Sequence, residues 1–440
     1  MRMSDPNVQF IEHFADLDLQ VLVIGTLDTK GPEIASLAGH IEALGARPVL
    51  IDSSGLPGAN VSAVSRWQLI DREQVAAASG IRSEAIGRLP RGEAMAAVRV
   101  GVEAITVRLQ AEGEIHAAVC LGGAAAHVAG PVFKALPIGF PRLIVSPLAS
   151  GSRTFDPFVG TRDVAVMHSI ADIVGVNAVT SVIYREAAGF IVGAAVAMRG
   201  WAPVVDLPAI AVSMNGNTTA PLMKAKVLLE QRGLAFVAFH ANGVGGQGLE
   251  EFIASGKAVG VLDYTTTELG GHLIGGLMDS GPSRMQTAGT LGLPQVLVPG
   301  CVDFITCGRW EAAEAEFPGR VMFAHSPELT LVRLSASEMR RLGHEFARKA
   351  NSSSTPITIC VPRWGFSVND VEGGLFWNPE ADQTFIDALS ADLEPRHRLI
   401  VLQHHIHDDE FVTRVVDELM ERMSAGQEVA QDSSLEAVPQ

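Results

Sequence analysis

The chain has 440 residues, of which 47% are hydrophobic and 19% charged, so it is long enough for two to three domains and apolar enough to bury large cores. A formal net charge of -16 excludes a protein built to grip nucleic acid or an anionic membrane surface. Four cysteines (Cys120, Cys301, Cys307 and Cys360) without a CxxC pair read as buried thiols in a reducing compartment, not as a disulfide framework or zinc site.

The N-terminal stretch has no apolar signal region, and the most apolar segments are short and broken by glycine. A cytoplasmic protein without a membrane span is expected. VLVIG (21–25) is the first strand, followed by the loop TLDTKG, a helix to Leu44 and the strand PVLID (48–52). This βαβ opening points to a parallel sheet. Residues 61–92 read as loops and a short helix, and 92–112 as a longer helix. HAAVCL (116–121) is a strand running into Gly122-Gly123 and a helix that ends near Leu136. PRLIVS (141–146) and VAVMHS (164–169) are strands on either side of a loop carrying Ser150, Gly151, Ser152 and Arg153, and helices are expected over most of 170–198.

Gly200, Pro203 and Pro208 mark a boundary, giving an N-terminal domain over 1–203 and a C-terminal domain over 204–423, with a disordered polar tail over 424–440. The second domain repeats the plan of the first, with strand AIAVSM (209–214), a helix to Arg232-Gly233 and strand LAFVAFH (234–240). The fold class expected is α/β, with two Rossmann-like doubly wound domains on mainly parallel sheets. Residues 236–283 organise the chain. There an apolar run ends in His240-Ala241-Asn242, a loop with Gly243, Gly245, Gly246 and Gly248 follows, and a helix covers Leu249 to Ser255. The run from Ala258 ends in Asp263, and Thr265-Thr266-Thr267-Glu268 opens a further helix. Strand, glycine loop and helix in that order aim backbone N–H groups at a ligand beyond the strand ends. Short loops in α/β proteins also need glycine for their own geometry. Later strands are PQVLVP (294–299), TICVP (358–362) and RLIVLQ (398–403), with GCVDFITCGRW read as a loop and a last helix reaching Met423.

Gly25, Thr26, Asp28, Thr29 and Lys30 follow a strand and precede a helix. Lys30 could offset phosphate charge, Thr26 and Thr29 could bond phosphate oxygens, and Asp28 could hold Mg²⁺. A helix cap with a solvated lysine explains them equally well. The Walker and GxGxxG spacings are absent, as is GxSxG, so a P-loop enzyme, an NAD fingerprint and an α/β serine hydrolase all lose their usual sign. Gly122 and Gly123 stand at the same strand-end position, where close ligand approach and helix packing both call for small residues. His240, Asp263, Glu268 and His272 carry metal-ligating atoms, but HExxH is missing. Glu268 and His240 are read instead as candidate acid/base residues. The tract His404, His405, His407, Asp408 and Asp409 reads as a strand end with an Asp helix cap and not as a metal site.

The segments GTLDTKGPE, FVGTRDVAVMHSIADIVGVN, FHANGVGGQGLEEFIASGKAVGVLDYTTTEL, GGLMDSGPSRMQTAGTLGLPQVLVPGCVDF and IHDDEF occur in this order. Together they resemble the family of the tomato mosaic virus resistance protein, over about residues 20 to 420. The resemblance implies two Rossmann-like subdomains, ATP binding with Mg²⁺, and a homodimer. In plants the domain binds a viral replication protein. Bacterial relatives resemble partners of a TIM-barrel protein, which implies small-molecule metabolism. The residues it points to for the nucleotide are Gly25, Thr26, Asp28, Thr29, Lys30, Gly122, Gly123, Ser150, Gly151, His240, Asn242, Gly243, Gly245, Gly246, Thr266 and Thr267, with Asp28 or Asp303 acting through Mg²⁺. One stretch departs from the pattern: where the family continues Ser-Gly-Gly-Thr after Gly122-Gly123, this chain has Ala124-Ala125-Ala126-His127. Two other readings stand beside ATP binding, namely an enzyme acting on a small carboxylate or sugar acid, and an interaction protein with a vestigial site.

Overall fold

A computed structural model describes residues 18–54, 61–150, 156–201 and 207–435. The chain divides into two compact units, 1–203 and 204–440.

The first unit holds six parallel strands: β1 (Gln20–Gly25), β2 (Arg47–Asp52), β3 (Gln68–Ile70), β4 (Ala117–Leu121), β5 (Arg142–Ser146) and β6 (Ala165–His168). Their order across the sheet is β3-β2-β1-β4-β5-β6. This is the doubly wound order in which the connections reverse direction between β1 and β4. Side chains alternate along β1: Leu22 and Ile24 pack under helices Arg72–Ser79, Arg91–Ala111 and Gly123–Ala135, while Val21 and Val23 pack under helices Leu27–Ala43 and Ala178–Met198. Burial on both faces explains why β1, β2, β4 and β5 read as continuous apolar runs.

Helix Ala178–Met198 is the one helix among the described residues that is long and apolar enough to cross a membrane. Its inner face, including Tyr184, Ile191 and Ala195, is buried against the sheet. The chain expected to be helical from residue 170 becomes so only at Ala178, where Asn177 forms a reciprocal capping box with Thr180.

The second unit holds β7 (Ala209–Met214), β8 (Ala235–His240), β9 (Ala258–Thr265), β10 (Gln295–Gly300), β11 (Phe304–Cys307), β12 (Met322–Ser326), β13 (Leu329–Arg333), β14 (Thr358–Pro362) and β15 (Arg398–Leu402). Six form a parallel sheet in the order β15-β14-β10-β9-β7-β8, reversing between β7 and β9. The segment expected to be a loop after β10 contributes β11 to a small antiparallel sheet ordered β11-β13-β12. Both units are therefore Rossmann-like α/β domains on mainly parallel sheets.

Two local expectations change. The glycine run is not a free loop: Gly245 and Gly246 lie in the first turn of helix Val244–Ala254. The last helix spans Asp409–Leu435 and does not stop at Met423, so its end takes in much of the segment expected to be a disordered tail. Residues 424–435 include Ala, Gln and Glu and hold no proline, a composition a helix tolerates.

Candidate functional site

At the C-terminal ends of β1, β2 and β4, where the first sheet reverses direction, a cavity of about 370 Å³ opens. Thr26, Asp28 and Thr29 line it from the end of β1, Ser53 from the end of β2 and Ala124 from the start of helix Gly123–Ala135. Arg91 and Met95 approach from the first turns of helix Arg91–Ala111, and Ile86, Leu89 and Val128 give an apolar wall. Sheets of this topology bind ligands at that crevice, and the volume lies in the range of small-molecule sites. Ser53 is buried, yet its hydroxyl has no hydrogen-bond partner among the described residues. A buried polar group left this way is one that an ordered water or a ligand can satisfy.

The backbone donors and the cation facing this cavity differ from those the sequence suggests. The first turn of helix Leu27–Ala43 is satisfied from within. Leu27 N–H donates to Asp52 Oδ1 at 3.1 Å and Asp28 N–H to Ser54 Oγ at 3.1 Å. The Thr29 and Lys30 N–H groups donate to the Thr26 carbonyl. Lys30 Nζ donates to the Ile173 carbonyl and does not line the cavity. The side-chain hydroxyls of Thr26 and Thr29 sit 3.1 Å apart, and Thr29 donates to Asp28 Oδ1 at 3.1 Å. Arg91 has no ion pair among the described residues, so its guanidinium is the cation this cavity offers. Helix Gly123–Ala135 begins without a side-chain cap, after Gly122 at φ 141. Its positive pole and open first turn are aimed at the strand ends. Ala124 retains a backbone N–H but removes the hydroxyl that a serine would add. Ser150 is exposed on the loop after β5, whereas Gly151, Ser152 and Arg153 lie outside the described residues.

In the second unit the glycine run carries its own anion. Glu268 Oε1 accepts the Gly243 N–H at 2.6 Å and the Gly246 N–H at 3.0 Å. Asn242 Oδ1 takes the Gly245 N–H at 3.0 Å. Arg284 Nε then donates to Glu268 Oε2 at 2.6 Å, while its two terminal nitrogens hold both oxygens of Asp263. Glu268 and Arg284 are both 0% exposed. Burial pushes the Glu268 carboxyl up, with Arg284 working against that rise. The expected phosphate donors of this loop are thus engaged by a side chain of the same unit. Thr266 and Thr267 are buried and spend their hydroxyls on the Val298 and Phe304 carbonyls. His240 is exposed at the end of an edge strand, and His272 pairs with Asp279 at 3.0 Å. The four candidates His240, Asp263, Glu268 and His272 therefore form no joint centre. Among the described residues, no group of three or more His, Cys, Asp or Glu is arranged to hold a metal ion. Asp303 is fully buried and accepts from Ser367 Oγ at 2.8 Å.

Arg91, Ser53 and Arg284 were not singled out by sequence. Ser53 directly follows a strand, which is a usable signal. Arg284 stands one residue beyond the segment 236–283 and has no motif of its own.

Family profiles settle the relationship of the chain. The N-terminal domain of the Uncharacterised protein family (UPF0261) matches residues 19–200 and its C-terminal domain matches 207–423. The chain belongs to the UPF0261 family. A UPF0261 protein of Clostridium tetani (strain Massachusetts / E88) is 33% identical over 415 residues, covering 92% of this chain and 100% of that protein. A UPF0261 protein of Rhizobium meliloti (strain 1021) is 34% identical, covering 90% of this chain and 97% of that one. The ToMV resistance protein Tm-1(GCR237) of Solanum lycopersicum is 30% identical, covering 91% of this chain but 55% of that protein. Among solved structures, Acinetobacter baumannii MurG covers 92% of this chain at 12% identity and a TM-score of 0.24, too loose a match to carry an argument. The resemblance read from the ordered sequence segments is thus the true family relationship.

Proposed function

We propose that the first unit of this UPF0261 protein binds a nucleotide in the cavity at its β1–β4 reversal, with ATP and Mg²⁺ as the pairing its residues suit. The observation that carries this reading is the position of the cavity together with its mixed lining. Arg91 and the uncapped start of helix Gly123–Ala135 meet phosphate charge. Thr26, Thr29 and the unsatisfied Ser53 hydroxyl supply oxygens and protons for further hydrogen bonds. Ile86, Leu89, Met95 and Val128 offer an apolar face to a base. Asp28, bonded to a single hydroxyl, is the carboxylate that suits Mg²⁺, an ion that commonly takes one or two protein carboxylates beside phosphate oxygens and water. When bound, the ion would offset phosphate charge.

A second reading rests on the small count of cations. With Lys30 turned to the Ile173 carbonyl, Arg91 alone suits a ligand with one anionic group, such as a sugar acid.

Thermal unfolding with ATP, ADP, AMP and GTP, each with and without Mg²⁺, separates the two. Ligand at about 100 times its dissociation constant stabilises the native state by about 2.7 kcal/mol, a shift of roughly 5 °C or more. A shift with Mg-ATP supports the nucleotide reading. No shift with any nucleotide, alongside a shift with a sugar acid, replaces it with the second.

A further inference from the structure

Three carboxylates of the second unit lie within electrostatic reach of one guanidinium, which is ion-paired with one of them. Asp303 follows β10, Asp370 lies in the loop over residues 363–378 after β14, and Asp382 sits in the first turn of helix Pro379–Asp392. All three are buried, and so is Arg333 at the end of β13. Arg333 Nη2 donates to Asp382 Oδ1 at 2.5 Å, while its other nitrogens reach the Phe376 carbonyl at 2.8 Å and the Asp303 carbonyl at 2.9 Å. Three ionised carboxylates around one cation would leave two uncompensated buried charges, which a folded interior does not tolerate. Among the described residues, Asp303 Oδ1, Asp370 Oδ1 and Asp382 Oδ2 have no hydrogen-bond donor. An ionised carboxylate only accepts, so one carboxyl bonds another only where it carries a proton, as the hydrogen bond between the Asp370 and Asp382 side chains requires.

The same groups tie down the loop over 363–378. Asp370 Oδ2 accepts the Phe366 N–H at 2.9 Å, and Ser367 Oγ donates to Asp303 Oδ2 at 2.8 Å. The far end of the loop is held by Arg333 through the Phe376 carbonyl. We propose that Asp303, Asp370 and Asp382 share protons around Arg333 and so act as a latch that closes this loop when protonated and loosens it on ionisation.

The charged and titratable groups facing the cluster are Arg333, His405, whose ring bonds the Ser367 carbonyl at 3.0 Å, and the buried thiol of Cys301. Burial pushes Asp303 up to about 7, helped by Asp370. It pushes Asp382 up to about 8 against the pull of Arg333, and raises Asp370 as well. Each folded value lies above the ordinary carboxylate value of 3.8, so the folded state binds more protons than the unfolded chain across that window. Stability from the latch is therefore full below the unfolded value and is lost as pH rises through the folded values.

The direct test is carbon NMR on the whole protein with only aspartate labelled at its side-chain carboxyl. Protonated aspartate signals at neutral pH, absent after denaturation and lost in Asp382→Asn, are expected. Their absence from the folded wild type overturns the proposal without any variant. Hydrogen exchange supplies the second arm. Protection of the 363–378 amides, corrected for intrinsic rate, should fall about tenfold or more between about pH 6 and about pH 9, and should fall less in Asp370→Asn. A flat wild-type profile overturns the latch. Recovery of protection at high pH on adding Mg²⁺, Ca²⁺ or Mn²⁺ also overturns it, because the cluster would then be a cation site.

Discussion

Glu268 and Arg284 meet at 2.6 Å with neither side chain exposed to solvent. The pair explains why the glycine turn of the second unit can resemble a phosphate cradle and yet have its donors already engaged. The Gly243 and Gly246 N–H groups find their anion in Glu268, and Glu268 finds its cation in Arg284. Glycine is needed at 243 because φ is 97 there and a Cβ would stand 2.9 Å from the Asp279 carbonyl oxygen.

Removing the guanidinium should be costly. Arg284→Met leaves Asp263 and Glu268 buried without their cation, and breaking such a pair costs about 3–5 kcal/mol. Urea unfolding of the purified protein measures this. A loss under about 1 kcal/mol would mean that the network adds little to stability.

Gly245 gives a separate test of the same turn. A Cβ there overlaps the His240 carbonyl oxygen, which belongs to the backbone and cannot swing aside. Gly245→Ala is expected to destabilise the second unit by about 3 kcal/mol. Nucleotide binding by the protein that still folds should be unchanged, because the first unit holds the proposed site. A variant of normal stability that has lost its nucleotide shift would move the site to the glycine turn.

Arg91 and Lys30 should behave differently. Arg91→Ala removes the cation of the cavity and should weaken a phosphate ligand by about tenfold or more, the worth of a hydrogen bond to a charged group. Lys30→Ala cuts a contact to the Ile173 carbonyl and should change affinity by less than about threefold. Calorimetric titration decides between them, and the reverse ranking would restore Lys30 to the phosphate.

The cysteines should be inert in the folded protein. All four are buried; burial pushes Cys360 up to about 12 and Cys307 up to about 11, and raises Cys120 and Cys301 too. A thiol reagent at about pH 8 should label none of them until denaturant is added, since the thiolate is the reactive form. Rapid labelling of the native protein would show that a core opens under native conditions.

The central strands of both parallel sheets were legible because they are buried on two faces and so written as unbroken apolar runs, as in Val21 to Gly25 or Thr358 to Pro362. The edge strand Gln68–Ile70 was not, because only Ile70 of its three residues is buried. The small antiparallel sheet was not. Met322–Ser326 has one buried residue followed by four exposed ones, a pattern no periodicity reports. Family membership was also legible, since long segments such as FHANGVGGQGLEEF keep their order.

By itself, then, the sequence determined the two α/β units and the strand-end positions where polar and glycine residues gather, because those depend on local runs and loop chemistry. The tertiary structure alone decided which of those groups are free. Glu268 lies 22 residues from Gly246 and takes up a backbone N–H that local reading assigns to a ligand, and Asp52, 25 residues from Leu27, takes up the N–H that opens the helix after β1. Ser53 and Arg91 line the first cavity unspent for the same reason in reverse: no described residue bonds the Ser53 hydroxyl, and none forms an ion pair with Arg91. Hydrogen bonds are short-ranged in space but not in sequence, so only the folded chain shows which donors remain unspent.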